Sequence, residues 1–238
     1  MAIFGYNEFQ RLILMGNNMA KQWPGLIASL LVYSSVALYA LSYAGGYILW
    51  LPLPVLIILA STHLLINKKE STTIIAANVS GILFVVVPLA ILNLYLNPTQ
   101  IPGYHTPWLV LGMFAVLWTH DTFAYLTGSL FGKHPLYKSI SPKKSWEGSI
   151  GGFGFAIIAA YIISIFSPIL TQWQWILIAI ITTVFGTLGD LAESLIKRRA
   201  GLKDSGNILP GHGGILDRVD SILFVSPVIY LIILLFIS

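Results

Sequence analysis

Long apolar segments, most of them about 20 residues in length, restrict the fold of this 238-residue chain more than any other feature. Apolar residues make up 56% of the chain and charged residues only 9%, against about 25% charged residues in an average soluble domain. The sequence therefore predicts an all-α polytopic membrane protein with about seven transmembrane helices. The predicted spans are residues 24–43, 47–66, 73–96, 108–130 and 149–170, a sixth from about residue 174 into the helix that carries Asp190, and a seventh at 219–237.

All 13 Lys and Arg residues fall on one side of this seven-span arrangement. Arg11 and Lys21 precede the first span, and the others lie in the loops after the second, fourth and sixth spans. Cytoplasmic loops are enriched in Lys and Arg, so the N-terminus is predicted to be cytoplasmic and the C-terminus external. The absence of cysteine excludes disulfides and thiolate metal sites. No cleavable signal peptide is expected, since polar residues precede any long apolar run.

Charged residues concentrate between the last two predicted spans, where residues 189–221 hold ten of the chain's 22 Lys, Arg, Asp and Glu residues. Asp217 and Asp220 form a carboxylate pair at the start of the last span, and Asp190 lies at the end of the span before it. Carboxylate oxygens suit Mg²⁺, which takes one or two of them and completes its shell with phosphate and water. We therefore predict Asp190 and Asp217 as metal ligands, with Asp220 as a third.

A glycine-rich loop around His212 separates these carboxylates. Glycines at 211, 213 and 214 allow backbone N–H groups to approach an anion, and the following helix start adds its dipole. Such a turn alone is more often a simple chain reversal, but Lys203 and Arg218 on either side favour phosphate binding. His212 fits a polar loop residue, a phosphate donor or a general base, and we favour a binding role because a phosphate nucleophile is already ionised near neutral pH.

Polar residues also interrupt or follow the fourth span. Asp121 lies within that span, where an ionised side chain costs at least about 2.5–3.5 kcal/mol and usually faces a cavity, a partner or an ion; a structural ion pair is the alternative. The lysines of residues 141–146 suit a triphosphate or an anionic head group, although positive-inside charge also explains them. The next span opens with Gly151, Gly152 and Gly154, which predict close packing against a neighbouring helix.

Three segments share a family resemblance. They are DTFAY at 121–125, FGKH with SPKKSWEG at 131–134 and 141–148, and a 27-residue run at 194–220 that contains SLIKRR, KDSG and PGHGGILDRVD. The chain resembles the phosphatidate cytidylyltransferases (CDP-diacylglycerol synthases) in these segments, over roughly residues 108–228. So long a match with many fixed positions makes coincidence improbable.

The resemblance implies an enzyme that joins CTP to phosphatidic acid, giving CDP-diacylglycerol and pyrophosphate. Mg²⁺ is the expected cofactor, with a monovalent cation such as K⁺ as a secondary expectation. The resemblance implies catalytic roles for Asp190, Asp217, Asp220, Ser194 and Lys197. The expected substrate-binding residues are Asp121, Ser141, Lys143, Lys144, Arg198, Lys203, Asp204, His212, Gly213, Gly214 and Arg218. The further expectations are a location in the bacterial cytoplasmic membrane, an active site on the cytoplasmic side, a homodimer and no nucleic-acid partner.

The N-terminal part departs from the family pattern. Family members have an additional N-terminal hairpin that ends near a Glu-aromatic-x-x-Leu pattern, which residues 8–12 (EFQRL) match. The expectation is a short form, whether natural, truncated or from a mis-called start, with a complete catalytic half. We divide the chain into an amphipathic or interfacial segment (1–23), N-terminal transmembrane helices (24–107) and a catalytic transmembrane region (108–238) with cytoplasmic loops at 132–148 and 197–218.

Three alternative functions stay open at this point. A related enzyme would transfer CMP from CTP to another lipid, such as an isoprenoid ether phosphate or a polyprenol. An ion-coupled transporter would use Asp121, Asp190 and Glu193 along an ion path, but it leaves the glycine-rich basic loop without a purpose. A catalytically inactive membrane scaffold is suggested only by the short N-terminus.

Overall fold

The computed structural model describes residues 1–15, 23–66, 71–96, 107–167, 169–206 and 213–236. Within these ranges the chain forms a bundle of α-helices with one small β-hairpin. In chain order the elements are α1 (Ala2–Ile13), α2 (Trp23–Ala40), a 3₁₀ helix (Gly46–Trp50), α3 (Pro52–Ile66), α4 (Ser71–Gly81), a π-helical turn (Ile82–Val86), α5 (Val87–Leu94), α6 (Pro107–Phe131), β1 (Pro135–Tyr137), β2 (Ser141–Ser145), α7 (Trp146–Phe166), α8 (Gln172–Arg199) and α9 (Leu216–Phe236).

Six helices in the described ranges are long and apolar enough to cross a membrane. They are α2, the continuous α4–α5 segment, α6, α7, α8 and α9, and a shorter apolar segment covers Gly46–Ser61. The prediction of an all-α polytopic membrane protein is therefore confirmed. The count of seven spans and the cytoplasmic N-terminus stay predictions.

Helices α6 and α7 pack closely because glycines on α7 leave room for the α6 backbone. A Cβ atom at Gly152 would lie 2.6 Å from the carbonyl oxygen of His120, and one at Gly151 would collide with Thr127 Oγ1. The predicted close packing is confirmed at these two positions. It is wrong for Gly154, where a Cβ atom would meet nothing within 4 Å.

The predicted loop at 132–148 contains an antiparallel hairpin, in which Pro135 pairs with Ser145 and Tyr137 with Ser141. Glu147 holds the residues just before the first strand of the hairpin, because Glu147 Oε2 accepts hydrogen bonds from the backbone N–H groups of Lys133 (3.1 Å) and His134 (3.2 Å). Ser145 Oγ accepts from the N–H of Gly148 at 3.1 Å and so caps the start of α7. These contacts fix strand β2 against the beginning of α7.

Helix α1 is amphipathic, and its less exposed face lies against other parts of the protein. That face buries Tyr6, Glu8, Phe9, Gln10 and Leu12, each at most 4% exposed. Phe9 and Leu12 join the main apolar core, which also holds residues of α6, α8 and α9. The N-terminal segment is therefore packed against the helices that carry most of the predicted site residues.

Candidate active site

A cavity of about 750 Å³ lies between α6, the hairpin, α7, α8 and the start of α9. Its walls contain polar and charged side chains from elements that are far apart in sequence. Seven of the predicted site residues line it: Asp121, Ser141, Lys143, Lys144, Asp190, Asp217 and Asp220. The fold thus brings the carboxylates of α8 and α9 together with the lysines of β2.

Asp190 is held by two side chains. The ammonium group of Lys144 forms an ion pair with Asp190 Oδ2, and Ser194 Oγ donates a hydrogen bond to Oδ1 at 3.3 Å. The side chains of Lys144 and Asp190 are 29% and 32% exposed, so both are partly open to solvent. Strand β2 thereby delivers a positive charge to the carboxylate that the sequence predicts as a metal ligand.

Asp220 reaches the same cavity because α8 and α9 approach closely at Gly189. A Cβ atom at Gly189 would lie 2.6 Å from the carbonyl oxygen of Asp220, a distance that real side chains do not adopt. The Asp220 carboxylate accepts a hydrogen bond from the N–H of Ser221 at 2.6 Å. The small residue before Asp190 therefore allows the two carboxylates to line one cavity.

Asp217 belongs to a second charged group, which is more buried. Lys197 Nζ lies 2.6 Å from Asp217 Oδ1 and 2.8 Å from Glu193 Oε2, and the exposed fractions of the three side chains are 6–14%. Removing one partner of a buried ion pair leaves an uncompensated charge, which is costly. Lys197 thus lies between two carboxylates and offsets their repulsion.

The second oxygen of Asp217 is bound by the glycine-rich loop. Asp217 Oδ2 accepts hydrogen bonds from the N–H of Gly214 (2.8 Å), the N–H of Ser205 (3.0 Å) and the Ser205 hydroxyl (2.9 Å). Gly213 adopts a positive φ of 79° beside it. The N–H group of Gly214, one of those predicted to bind a substrate phosphate, is therefore engaged with a carboxylate of the chain itself.

Glu8 on α1 is a residue of this region that our reasoning from the sequence missed. It is 2% exposed, and its carboxylate accepts hydrogen bonds from the N–H groups of Ile215 (3.1 Å) and Leu216 (2.7 Å) and contacts the Ser205 hydroxyl at 3.0 Å. Glu8 therefore caps the start of α9. The one signal in the sequence was its place in the Glu-aromatic-x-x-Leu pattern.

His120 is a second residue that the predicted site omitted. It lines the cavity, is 4% exposed, and its Nδ1 lies 3.1 Å from Asp121 Oδ1. Its Nε2 is buried and has no hydrogen-bond partner among the described residues. The polar interruption of the fourth span was the signal, but it drew attention to the carboxylate and not to the imidazole.

The remaining predicted residues that the structure describes lie outside the cavity lining. Arg198 donates weakly to the backbone carbonyl groups of Ile140 (3.4 Å) and Leu202 (3.3 Å), which ties α8 to the hairpin turn. Lys203, Asp204 and Arg218 are exposed. His212 lies outside the described residues, and its role stays a prediction.

Mg²⁺ binding depends on which oxygen ligands the described residues bring together. Among the described residues, no group of three or more His, Asp or Glu side chains is arranged to hold a metal ion. Asp190 and Asp220 nevertheless line one cavity, and Mg²⁺ commonly uses one or two carboxylates and takes its other ligands from substrate phosphates and water. The residues fit such an ion and do not form a cage made only of protein ligands.

Comparison with known proteins places the chain in a family. A family model described as the Cytidylyltransferase family matches residues 1–236. The chain belongs to the cytidylyltransferase family. This confirms the resemblance that residues 121–220 indicated.

Two relatives show how far the similarity extends. The phosphatidate cytidylyltransferase of Staphylococcus saprophyticus subsp. saprophyticus is 46% identical over 142 residues, which are 59% of this chain and 54% of that protein. The phosphatidate cytidylyltransferase of Staphylococcus aureus strain COL is 34% identical over 224 residues, 93% of this chain and 84% of that protein. The chain thus spans about half the length of the first relative and most of the second.

Proposed function

We propose that this protein transfers the CMP moiety of CTP to phosphatidic acid and releases pyrophosphate. The observation that supports this most directly is the single cavity lined by Asp190, Asp217 and Asp220 together with Lys143 and Lys144. Carboxylates beside lysines suit a site that accepts a metal ion and a triphosphate together. The names of the two staphylococcal relatives agree with this substrate pair.

The proposed reaction is an in-line displacement at the α-phosphorus of CTP. An oxygen of the phosphatidic acid phosphate forms a new bond to that phosphorus, and the bridging bond to the β-phosphate breaks. The bonding electrons leave with pyrophosphate, and CDP-diacylglycerol remains. Little covalent chemistry is required of the protein, so its contribution is positioning and electrostatic stabilisation. Lys143 and Lys144 would bind the triphosphate through its negative charge.

We propose Asp190 and Asp220, with Asp217, as the residues that hold Mg²⁺. When bound, the ion offsets the negative charge on the triphosphate and the departing pyrophosphate. In the structure, Lys144 neutralises Asp190 and Lys197 neutralises Asp217. Lys144 would therefore exchange its contact with Asp190 for the triphosphate when the substrates bind. The participation of K⁺ stays a prediction.

We further propose that the protein lies in the cytoplasmic membrane of a bacterial cell and that its cavity opens toward the cytoplasm. The support is the segregation of all 13 basic residues to one side of the seven-span arrangement. CTP would then enter from the aqueous side, and phosphatidic acid from the bilayer. A homodimer stays a prediction.

The experiment uses the purified chain in liposomes with phosphatidic acid, radiolabelled CTP and Mg²⁺. Labelled liponucleotide that disappears with EDTA is the expected result. Asp190→Asn and Asp220→Asn should each lower kcat by about 100-fold, equivalent to about 2.7 kcal/mol of transition-state stabilisation. Circular dichroism and gel filtration would verify that both variants are folded. Turnover near that of the wild type in both variants would contradict the metal assignment, and no product from folded wild type would contradict the reaction.

A further inference from the structure

We infer that Glu8 is a positioning residue, which holds the start of α9 and orients Asp217 through Ser205. The inference rests on the proposed function in one respect, which is the role of Asp217 in metal and phosphate binding. Glu8 lies on α1, 197 residues before Ser205 in sequence, and it does not line the cavity. Any effect on the reaction therefore has to pass through other residues.

Ser205 connects the two carboxylates. Its Oγ lies 3.0 Å from Glu8 Oε2 and 2.9 Å from Asp217 Oδ2. A hydroxyl group has one proton, so Ser205 donates to one carboxylate at a time, and its backbone N–H donates separately to Asp217 at 3.0 Å. The position of Asp217 thus depends on a residue that Glu8 holds in place.

Glu8 also holds the backbone on which Asp217 lies. The N–H groups of Ile215 and Leu216 immediately precede Asp217, and both donate to the Glu8 carboxylate. Such N–H groups at a helix start lack partners within the helix, and a carboxylate is a favourable acceptor there. One buried side chain therefore fixes the entry into α9.

The glycine-rich loop has the shape that this carboxylate requires. A Cβ atom at Gly206 would lie 2.5 Å from Glu8 Oε1, and one at Gly214 would lie 2.5 Å from Glu8 Oε2 and would collide with Ser205 Oγ. Any larger residue at either position would displace Glu8 or the loop. The anion that the described part of this loop surrounds is thus a side chain of the protein.

Helix α1 is itself anchored, so Glu8 is a fixed point. The Tyr6 hydroxyl donates to Asn78 Oδ1 at 2.8 Å, and Gln10 Nε2 donates to the carbonyl oxygen of Ala77 at 2.7 Å. Burial raises the pKa of the Tyr6 phenol above its ordinary value, which keeps this donor protonated. The contacts on α4 hold the helix, and Glu8 links it to the active site.

The test compares Glu8→Gln and Ser205→Ala with Gln10→Leu, a control on the same helix that removes a buried hydrogen bond to α4. Amide hydrogen exchange of residues 213–224 is measured without substrates, Mn²⁺ binding is measured by electron paramagnetic resonance, and kcat and KM are measured with CTP. Glu8→Gln and Ser205→Ala should accelerate exchange, weaken Mn²⁺ binding and lower kcat by about 10- to 100-fold, the usual effect of removing a residue that orients a metal ligand. Gln10→Leu leaves the Tyr6 hydrogen bond to Asn78 in place, so it should lower the melting temperature but leave exchange at 213–224 and Mn²⁺ affinity unchanged.

The double variant of Glu8 and Ser205 tests whether Glu8 acts on Asp217 through Ser205. If Glu8 acts on Asp217 mainly through Ser205, Glu8→Gln with Ser205→Ala should be little worse than the more severe single variant. Unchanged exchange in Glu8→Gln, or equal changes in Gln10→Leu, would overturn the inference. If wild-type protein lacked CTP activity, the proposed function would fail while exchange and Mn²⁺ binding still decided the role of Glu8. If Glu8→Gln did not fold, Ser205→Ala would decide it.

Discussion

Lys144 is the cavity residue whose removal should most affect nucleotide binding. It reaches Asp190 from strand β2 and lines the cavity. In Lys144→Ala, Asp190 would lose its counter-charge and the triphosphate would lose a cation. We expect the KM for CTP to rise about tenfold, equivalent to about 1.4 kcal/mol, with the salt dependence of KM reduced.

Lys138→Ala is the matched control for this prediction. Lys138 lies in the turn of the same hairpin, is exposed, and does not line the cavity. Steady-state kinetics at several CTP concentrations should therefore leave its KM within about twofold of wild type, because charges at rim positions contribute little. Equal changes in the two variants would indicate a general effect of charge and not a specific contact.

Single residues show where reasoning from the sequence succeeds and where it stops. Asp190 and Asp217 stand out because an ionised group beside an apolar span requires a partner or an ion, and both line the cavity. Glu8 does not stand out, since its partners Ser205 and Leu216 are about 200 residues away. Local spacing predicts which residues share a helix face, but it does not predict which distant helix will pack against that face.

At the scale of elements, the contact between α6 and α7 offers a matched pair of substitutions. Gly152→Ala places a methyl group 2.6 Å from a backbone oxygen of α6, and overpacking of this kind costs about 1–3 kcal/mol. Gly154→Ala meets nothing within 4 Å and should stabilise the helix by about 0.5–1 kcal/mol. Thermal unfolding in detergent should therefore show a lower melting temperature for Gly152→Ala and a slightly higher one for Gly154→Ala. A fall of similar size in both would contradict the described packing.

The same elements explain which parts of the fold the sequence predicts. Long apolar helices follow from composition and length, and they are present. The face of α7 that packs against α6 does not follow from composition and length. Residues 152 and 154 are two positions apart and lie on nearly opposite sides of a helix. The hairpin was predicted as a loop, since its strands have three and five residues and include prolines and lysines, which are rare in strands.

At the scale of the whole molecule, the contact between Glu8 and Ser205 restricts the number of membrane crossings. The two residues are in hydrogen-bond contact, so an even number of spans must separate them. Among the described residues, five long apolar segments lie between them: α2, α4–α5, α6, α7 and α8. If all five cross the membrane, the contact predicts a sixth crossing, and α3 with the preceding 3₁₀ helix is the remaining apolar candidate among the described residues.

The length of this segment is adequate. The 15 residues of α3 extend about 22 Å, and the five residues of the 3₁₀ helix add about 10 Å. Their sum is close to the bilayer core of about 30 Å. The contact therefore supports the predicted seven-span arrangement, in which Tyr43 and the hairpin lie on opposite sides of the membrane.

Cysteine labelling can decide this arrangement, because the chain has no cysteine of its own. Tyr43→Cys lies at an exposed position after α2, and Lys138→Cys lies in the hairpin turn. In intact cells a membrane-impermeant maleimide should label Tyr43→Cys, whereas Lys138→Cys should react only after permeabilisation. Activity of both variants would verify that they are folded. If α3 did not cross, two spans would separate these positions, and both cysteines would react from the same side. That result would contradict the seven-span arrangement and the contact between α1 and the start of α9 together.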